Sequence, residues 1–455
     1  MNMIKELLLS LSAILIMAAP SASCGIVKGF EPDPREWASV CGTHLSWATT
    51  DFSFNCYGVP AIEKNSNLLL KGWRGEKVFA KALVWTSVPL EDVTFELSDL
   101  TGADGAVIKS SDCLKSFLRN VISDYDEVIQ NGCNKGKPEK HFHCDSTIVA
   151  DCLDTDMMKV DMPAMFTQSI WVTCPIPAND YVGKNCGRLT VRSKGVVVGS
   201  LNLTVQSTSH ILPPVSKWKH FTCFWEHCGM VADYYQTEYF SEKHLEAMKD
   251  VFKQLAAAGQ RTVGATVAGP SPQKHVQWTL RKNGKWKFDY SRFDRYVELA
   301  EEYGIDDYIV CMELLHRKGI KLEYFDEASH QSKIMTPKFD DPEYKQVLEA
   351  FIRSFAGHLR EKGWFDKALI ELDEVSEEEN RFFFKTVRRL EPKLKIKTAL
   401  HYHNRYMESR AFSVTYASHC NFDPKELDRR ISAGLLNTQY ICCTETHPNR
   451  YVFSG

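Results

Sequence analysis

The stretch Ala368-Leu369-Ile370-Glu371-Leu372-Asp373-Glu374 decides how the carboxyl-terminal part of this chain folds. It is a short apolar run between two segments of helical periodicity, and it ends in two adjacent carboxylates. A strand flanked by helices in this way belongs to a parallel α/β fold, which gathers its chemistry at the C-terminal ends of its strands. Alternation puts Glu371 and Asp373 on one face and turns Ile370 and Leu372 toward the helices. Glu374 opens the following loop. In regular strand geometry the two acids would point apart, but a backbone turn at the strand end lets both enter one pocket from different directions. Acidic pairs more often cap strands or start helices than catalyse, so the surrounding pattern has to decide.

That pattern, after Trp218, is strand and helix in alternation. Strands are expected at 220–224, 262–268, 308–312, 369–373, 394–400, 412–417 and 439–443. Helices are expected at 242–258, 292–303, 342–362, 376–390 and 424–433, with a long polar loop between the third strand and the helix at 342. The first helix is the clearest: Ser241 is its N-cap, Leu245, Met248, Phe252 and Leu255 are its apolar stripe, and Gly259 ends it. Seven strands in one run fit a (β/α)8-type (TIM) barrel better than an open sheet. The sequence stops at Gly455 before an eighth strand and helix, so residues 218–455 are expected to form an incomplete barrel, a fragment of a longer product.

Residues 24–210 carry a different rhythm. Short alternating strands at 78–85, 93–97, 168–172, 188–192 and 200–206, separated by Gly, Asn and Asp turns, indicate a β-sandwich. Leu189 and Val191, with Leu201, Leu203 and Val205, should face one core, and Lys194-Gly195 and Gly199 supply turn and bulge positions. Trp37, Trp47, Trp73 and Trp85 are core residues on the commoner reading and glycan contacts on the rarer one. Residues 211–217, with Pro213-Pro214, form a stiff linker.

The first 23 residues read as an export signal. Lys5 precedes an apolar run from Leu7 to Ala19 that is short for a bilayer span and ends in small residues. Two readings stay open at its end: cleavage near Ala22 or Ser23, or lipidation of Cys24 as in bacterial lipoproteins, against which Ser21 stands where such signals carry Leu. A single lipid would tether the protein to a membrane in the periplasm or at the cell surface. A net charge of -3 without a basic stripe gives no reason to expect nucleic acid. Fifteen cysteines suit an oxidising compartment. Cys41 with Cys56, Cys174 with Cys186, and the group Cys113, Cys133, Cys144 and Cys152 are candidates for local pairing, and their connectivity is open. The spacing does not supply a zinc site.

Paired acids do proton-transfer work on sugars. At the rim, Glu374 is placed to protonate a leaving-group oxygen, and partial burial would keep such a carboxyl protonated near neutrality. Asp373, deeper, would accept a hydrogen bond from the N–H of a substrate 2-acetamido group whose carbonyl attacks C1. Other strand ends offer contacts for a glycan: Trp225 and His227 after the first, His401 and Tyr402 after the fifth, Glu445 and Asn449 after the seventh. Each has a plainer reading: Trp225 as a core plug, Glu226 as a solvated acid, His401 with His403 as packing, Glu371 as an internal salt-bridge partner.

Several stretches, taken in order, resemble glycoside hydrolase family 123, the β-N-acetylgalactosaminidases. They are Phe224-Trp225-Glu226-His227 with 232–235, Tyr239-Phe240-Ser241-Glu242-Lys243-His244, 256–266, 288–293, Tyr324-Phe325-Asp326-Glu327, Lys362-Gly363-Trp364-Phe365, Leu372-Asp373-Glu374 and 440–449, where Cys442-Cys443-Thr444-Glu445 precedes His447-Pro448-Asn449. The resemblance covers roughly residues 215–455, and the preceding sandwich resembles the domain that accompanies such barrels. It implies a retaining exo-glycosidase that releases terminal β-linked N-acetylgalactosamine without a cofactor, with Asp373 orienting the acetamido group and Glu374 as general acid/base. Family barrels continue beyond the Cys-Cys-Thr-Glu segment into a final strand, which is the one departure here. Another β-hexosaminidase on the same barrel, or an inactive carbohydrate-binding surface protein, are the competing expectations.

Overall fold

The computed structural model describes residues 30–52, 54–123, 147–219, 222–269, 272–316, 319–399, 411–415 and 424–440. The described residues divide into two compact units, one ending at Pro213 and the other beginning at Pro214.

The first unit is a sandwich of two sheets. One sheet contains β1 (Thr43–Ala48), β3 (Lys77–Thr86), β8 (Phe166–Pro175), β5 (Leu114–Ser123) and β6 (Thr147–Leu153), in that spatial order. The other contains β2 (Asn67–Arg74), β10 (Val196–Ile211), β9 (Lys184–Ser193), β4 (Leu90–Leu97) and β7 (Val160–Met162), with two two-residue strands added. Ala82, Val84, Phe117, Ile170 and Val172 of the first sheet close one core with Val93, Phe95, Leu189, Val191, Leu201, Leu203 and Val205 of the second. Alternation of this kind is what a sheet with one dry face requires. β9 and β10 are joined through Lys194 (φ 48°) and Gly195 (φ 79°), the left-handed pair that matches hairpin twist. Opposite, Val191 faces Gly199 while Arg192 faces Val197, so Val198 is a bulge. Trp37, Trp47 and Trp85 are buried, which settles them as core; Trp73 is exposed and lies 5.3 Å from the His210 ring.

Cysteine placement corrects one expectation. Cys186 is exposed and its thiol lies 3.6 Å from Thr204 Oγ1, while Cys174 is buried against Cys113 instead. Cys41 is exposed and Cys56 buried.

In the second unit six parallel strands form one sheet, in the order β11 (Thr262–Thr266), β14 (Tyr308–Met312), β17 (Ala368–Asp373), β18 (Lys395–Ala399), β19 (Ala411–Thr415) and β20 (Leu436–Tyr440). Its two end strands are not paired with each other among the described residues. Of the strand expected at 220–224, the described residues 222–224 show one parallel bridge, Thr222 to Gln260, and the last strand begins at Leu436, ahead of the start expected at 439. A second sheet holds four strands in the order β13 (Trp286–Asp289), β12 (Gln277–Leu280), β15 (Leu322–Asp326) and β16 (Gln331–Met335), the last two within the stretch expected as a long polar loop and the first two where no element was expected. Trp278 stacks on Phe351 at 4.7 Å and ties this sheet to the helix beneath it.

The helices are α1 (Cys228–Tyr234), α2 (Glu242–Ala257), α3 (Ser291–Glu302), α4 (Pro342–Glu361), α5 (Glu377–Leu390) and α6 (Pro424–Ser432). Ser241 Oγ caps α2, and Ser376 with Glu379 forms a capping box on α5, so part of the acidic run 377–379 works as a cap and not only through the helix dipole. Ile370 and Leu372 are fully buried with Phe351, Phe355, Phe383 and Val387 on the helix side of the sheet. Among the described residues no helix is long and apolar enough to cross a membrane.

Candidate active site

The face of the sheet away from the helices is built in layers. At its base Val310 and Leu369 are buried, with Tyr308, Met312 and Leu436 against them. One step along β17, Glu371 is 2% exposed and forms an ion pair with Lys397, its direct neighbour on β18. One step further, Asp373 pairs in register with Ala399, and it is half-buried like Glu374. The plainer reading of Glu371 is therefore the correct one: it holds a cation below the carboxylate pair.

Asp373 and Glu374 do not point apart. Glu374 has φ 48°, the left-handed region that a non-glycine residue enters at a cost of about 1–3 kcal/mol. Its N–H donates to Ala399 O at 2.8 Å, which holds the turn, and Tyr440 Oη donates to Glu374 Oε1 at 3.0 Å. Tyr440 lies at the end of β20, on the same side as Leu436 four residues earlier, so Glu374 reaches the face that carries Asp373. His316 forms a parallel bridge with Asp373 and brings the loop after β14 to the same rim.

Glu226 is not a solvated acid. Its Oε2 accepts from Gly264 N at 2.9 Å, and Gln260 Nε2 donates to Oε1. Burial pushes its carboxyl up to about 7, against those hydrogen bonds, which favour the charged form. Gly264 makes room for it: a Cβ there would lie 2.9 Å from Glu226 Oε2 and 3.1 Å from Met312 Cε. Trp225 is 44% exposed and is no core plug. The Lys397 ammonium lies over its ring, 5.9 Å from the centroid. One ion pair thus supports Trp225 and underlies Asp373.

His227 is exposed immediately before α1. His401, Tyr402, Glu445, Asn449 and Cys24 lie outside the described residues. Among the described residues no group of three or more His, Cys, Asp or Glu side chains is arranged to hold a metal. Sequence reading did not select Tyr440, Lys397 or His316. Strand register would have offered Lys397, which falls opposite Glu371 once 368–373 and 395–399 are aligned; Tyr440 opens the 440–449 stretch that resembles the family without being read as a site residue, and His316 carried no local signal.

Two adjacent carboxylates at the end of a parallel strand are groups of the kind that can move a proton or accept a hydrogen bond at a sugar. The family model described as "Glycoside hydrolase 123, catalytic domain" matches residues 225–455, and "Glycoside hydrolase 123 N-terminal domain" matches residues 47–193. The chain belongs to glycoside hydrolase family 123 and is a hydrolase. A family 123 glycoside hydrolase from Clostridium perfringens, described for glycolipid glycan hydrolysis, has a similar fold: TM-score 0.77 at 23% identity, over 88% of this chain and 72% of that one. A putative glycoside hydrolase from Bacteroides vulgatus aligns over 71% of this chain and 58% of its own at 12% identity and TM-score 0.26, too low to carry an argument. No curated protein matches the chain.

Proposed function

We infer that the chain is a retaining exo-β-N-acetylgalactosaminidase working by substrate assistance. The observation that carries this reading is the left-handed turn at Glu374, which brings a second carboxylate to the face of Asp373 and onto the Tyr440 hydroxyl. In the first step the acetamido carbonyl oxygen attacks C1 and the glycosidic C1–O bond breaks. The Glu374 carboxyl gives its proton to the departing oxygen. Asp373 accepts a hydrogen bond from the acetamido N–H, aligns the group and stabilises the positive charge that develops on it. In the second step water attacks C1, Glu374 takes its proton, and the acetamide is restored with β configuration retained. Trp225 offers an aromatic face for sugar C–H groups, and His227, His401, Tyr402, Glu445 and Asn449 complete the sugar contacts.

The glycan is of the glycolipid or oligosaccharide class, in line with the relative from Clostridium perfringens. The six parallel strands with crossover helices support a (β/α) barrel over 218–455 as the catalytic domain, preceded by the sandwich of 24–210 and a linker at 211–217. The signal-like segment 1–23 supports export to the periplasm or cell surface, with Cys24 as the candidate lipid attachment. Substrates with progressively fluorinated N-acyl groups test the mechanism. Participation of the carbonyl predicts a rate that falls steeply as fluorine withdraws electrons; a flat series rejects substrate assistance. Proton NMR of the first product gives the anomer, and comparison of galacto- and gluco-configured glycosides separates this activity from another β-hexosaminidase.

A further inference from the structure

We propose that Cys113 and Cys174 form a structural disulfide that fastens β5 to β8 inside the N-terminal sandwich. The two strands are antiparallel, with Thr173 facing Leu114 and Ile170 facing Phe117, so the next facing pair is Cys174 with Cys113. Directly opposed residues in such a ladder have Cα atoms roughly 4.5–5.5 Å apart, inside the span a disulfide bridges. The sulfurs already touch at 3.6 Å. Both are buried, Cys174 completely and Cys113 at 5% exposure, within the sandwich core. Cys174 is held within the β8 ladder, and Cys113 lies one residue before β5, with its N–H donating to Ser110 O at 3.2 Å.

The two thiols are not equivalent. Cys113 lines a surface depression of about 420 Å³ with Ser111, Asp112, Lys115, Thr155 and Met158, and Cys174 does not reach it. The Cys174 thiol and the Lys115 ammonium favour the Cys113 thiolate, whereas the Cys113 sulfur and burial hold Cys174 protonated. Cys113 is therefore the sulfur that meets an external oxidant of the disulfide class. Its thiolate attacks one oxidant sulfur and expels the first thiol, leaving a mixed disulfide. Cys174 then loses its proton, attacks Cys113 sulfur and expels the second thiol. Two protein thiols are oxidised by two electrons and one oxidant disulfide is reduced to two thiols. Cys186, the partner that proximity in sequence suggested for Cys174, is left exposed on the other sheet.

The test uses the 455-residue chain. It is held in a buffer of oxidised and reduced glutathione or in a phosphine reductant, alkylated in denaturant and mapped by mass spectrometry. The proposal predicts a peptide joining Cys113 to Cys174 in the first sample and both residues alkylated in the second. Reduction should lower the Tm of the sandwich unit by roughly 8–16 °C, from the chain entropy of a loop of this length. That shift should vanish in C113A/C174A. Should the double variant not fold, the peptide map of the unaltered chain still decides. Both cysteines alkylated in the folded glutathione sample, or either joined to another cysteine, overturns the proposal.

Discussion

Replacing Lys397 by Met tests whether the buried ion pair is the foundation of the site. The Glu371 side chain is 1% exposed, its Oε2 has no hydrogen-bond partner among the described residues, and Lys397 answers its Oε1. Without the ammonium, an isolated carboxylate would remain in the sheet interior, which costs about 3–5 kcal/mol. Proton uptake limits that cost. Protonating an ordinary glutamate, with a reference pKa of about 4.3, requires about 3.7 kcal/mol at pH 7 and about 1 kcal/mol at pH 5. K397M should therefore lose about 3–4 kcal/mol at pH 7 and recover about 2 kcal/mol or more of it at pH 5. The double variant E371M/K397M should return to within about 1 kcal/mol of the parent, since an apolar pair of similar volume leaves nothing uncompensated. The chain has two units and will not unfold in one step, so the readout is the opening free energy of a peptide covering 368–373, from hydrogen exchange. A loss below about 1 kcal/mol at pH 7, an equal loss at both pH values, or additive single costs in the double variant would refute the reasoning.

Three other changes probe the layers around that pair. Gly264→Ala places a methyl carbon 2.9 Å from Glu226 Oε2, so it should destabilise by about 1–3 kcal/mol and move the carboxylate; an unchanged Tm would show that the space is free. Tyr440→Phe removes the hydroxyl that donates to Glu374, a bond worth about 1.5 kcal/mol to the carboxylate that forms as the proton leaves, so kcat should fall about tenfold with KM nearly constant; an unchanged kcat would dissociate Tyr440 from the acid. Glu226 titrates at about 7 in the folded chain against an ordinary value of 4.5. The folded state thus holds the extra proton between those values, so the contribution is complete below pH 4.5 and is lost as pH rises through 7. Glu226→Gln should abolish this decline, gaining up to about 3 kcal/mol relative to the parent between pH 4.5 and 8, read from opening free energies; parallel curves would reject it.

Local periodicity carried most of the architecture. The sandwich strands and their shared core were visible because alternation with a dry face leaves Leu189, Val191, Leu201, Leu203 and Val205 in one register. The parallel strands 308–312 and 369–373 were legible for the same reason as the helix between them. The four-stranded sheet was not: Lys282, Asn283, Gly284 and Lys285 make its first hairpin look like a polar loop, and its strands earn their place by packing Trp278 on Phe351, far along the chain. The acid pair was found because its residues are adjacent. That both reach one face depends on a strained φ at Glu374 and on a tyrosine 66 residues away, neither of which has a local signature. Glu226 looked solvated because only folding brings Gly264 N and Gln260 to it.

The division of labour between Asp373 and Glu374 is tested most directly by pairing two variants with two leaving groups. Glu374→Gln should slow hydrolysis of a poor-leaving-group β-N-acetylgalactosaminide by about 10²–10⁴-fold. An activated aryl glycoside, which needs little protonation, should form the intermediate nearly normally with Glu374→Gln. Asp373→Asn should slow both substrates alike, because orientation of the acetamido group precedes either departure. Equal losses for both substrates with Glu374→Gln, or turnover unchanged by it, would contradict the assignment of Glu374 as the acid.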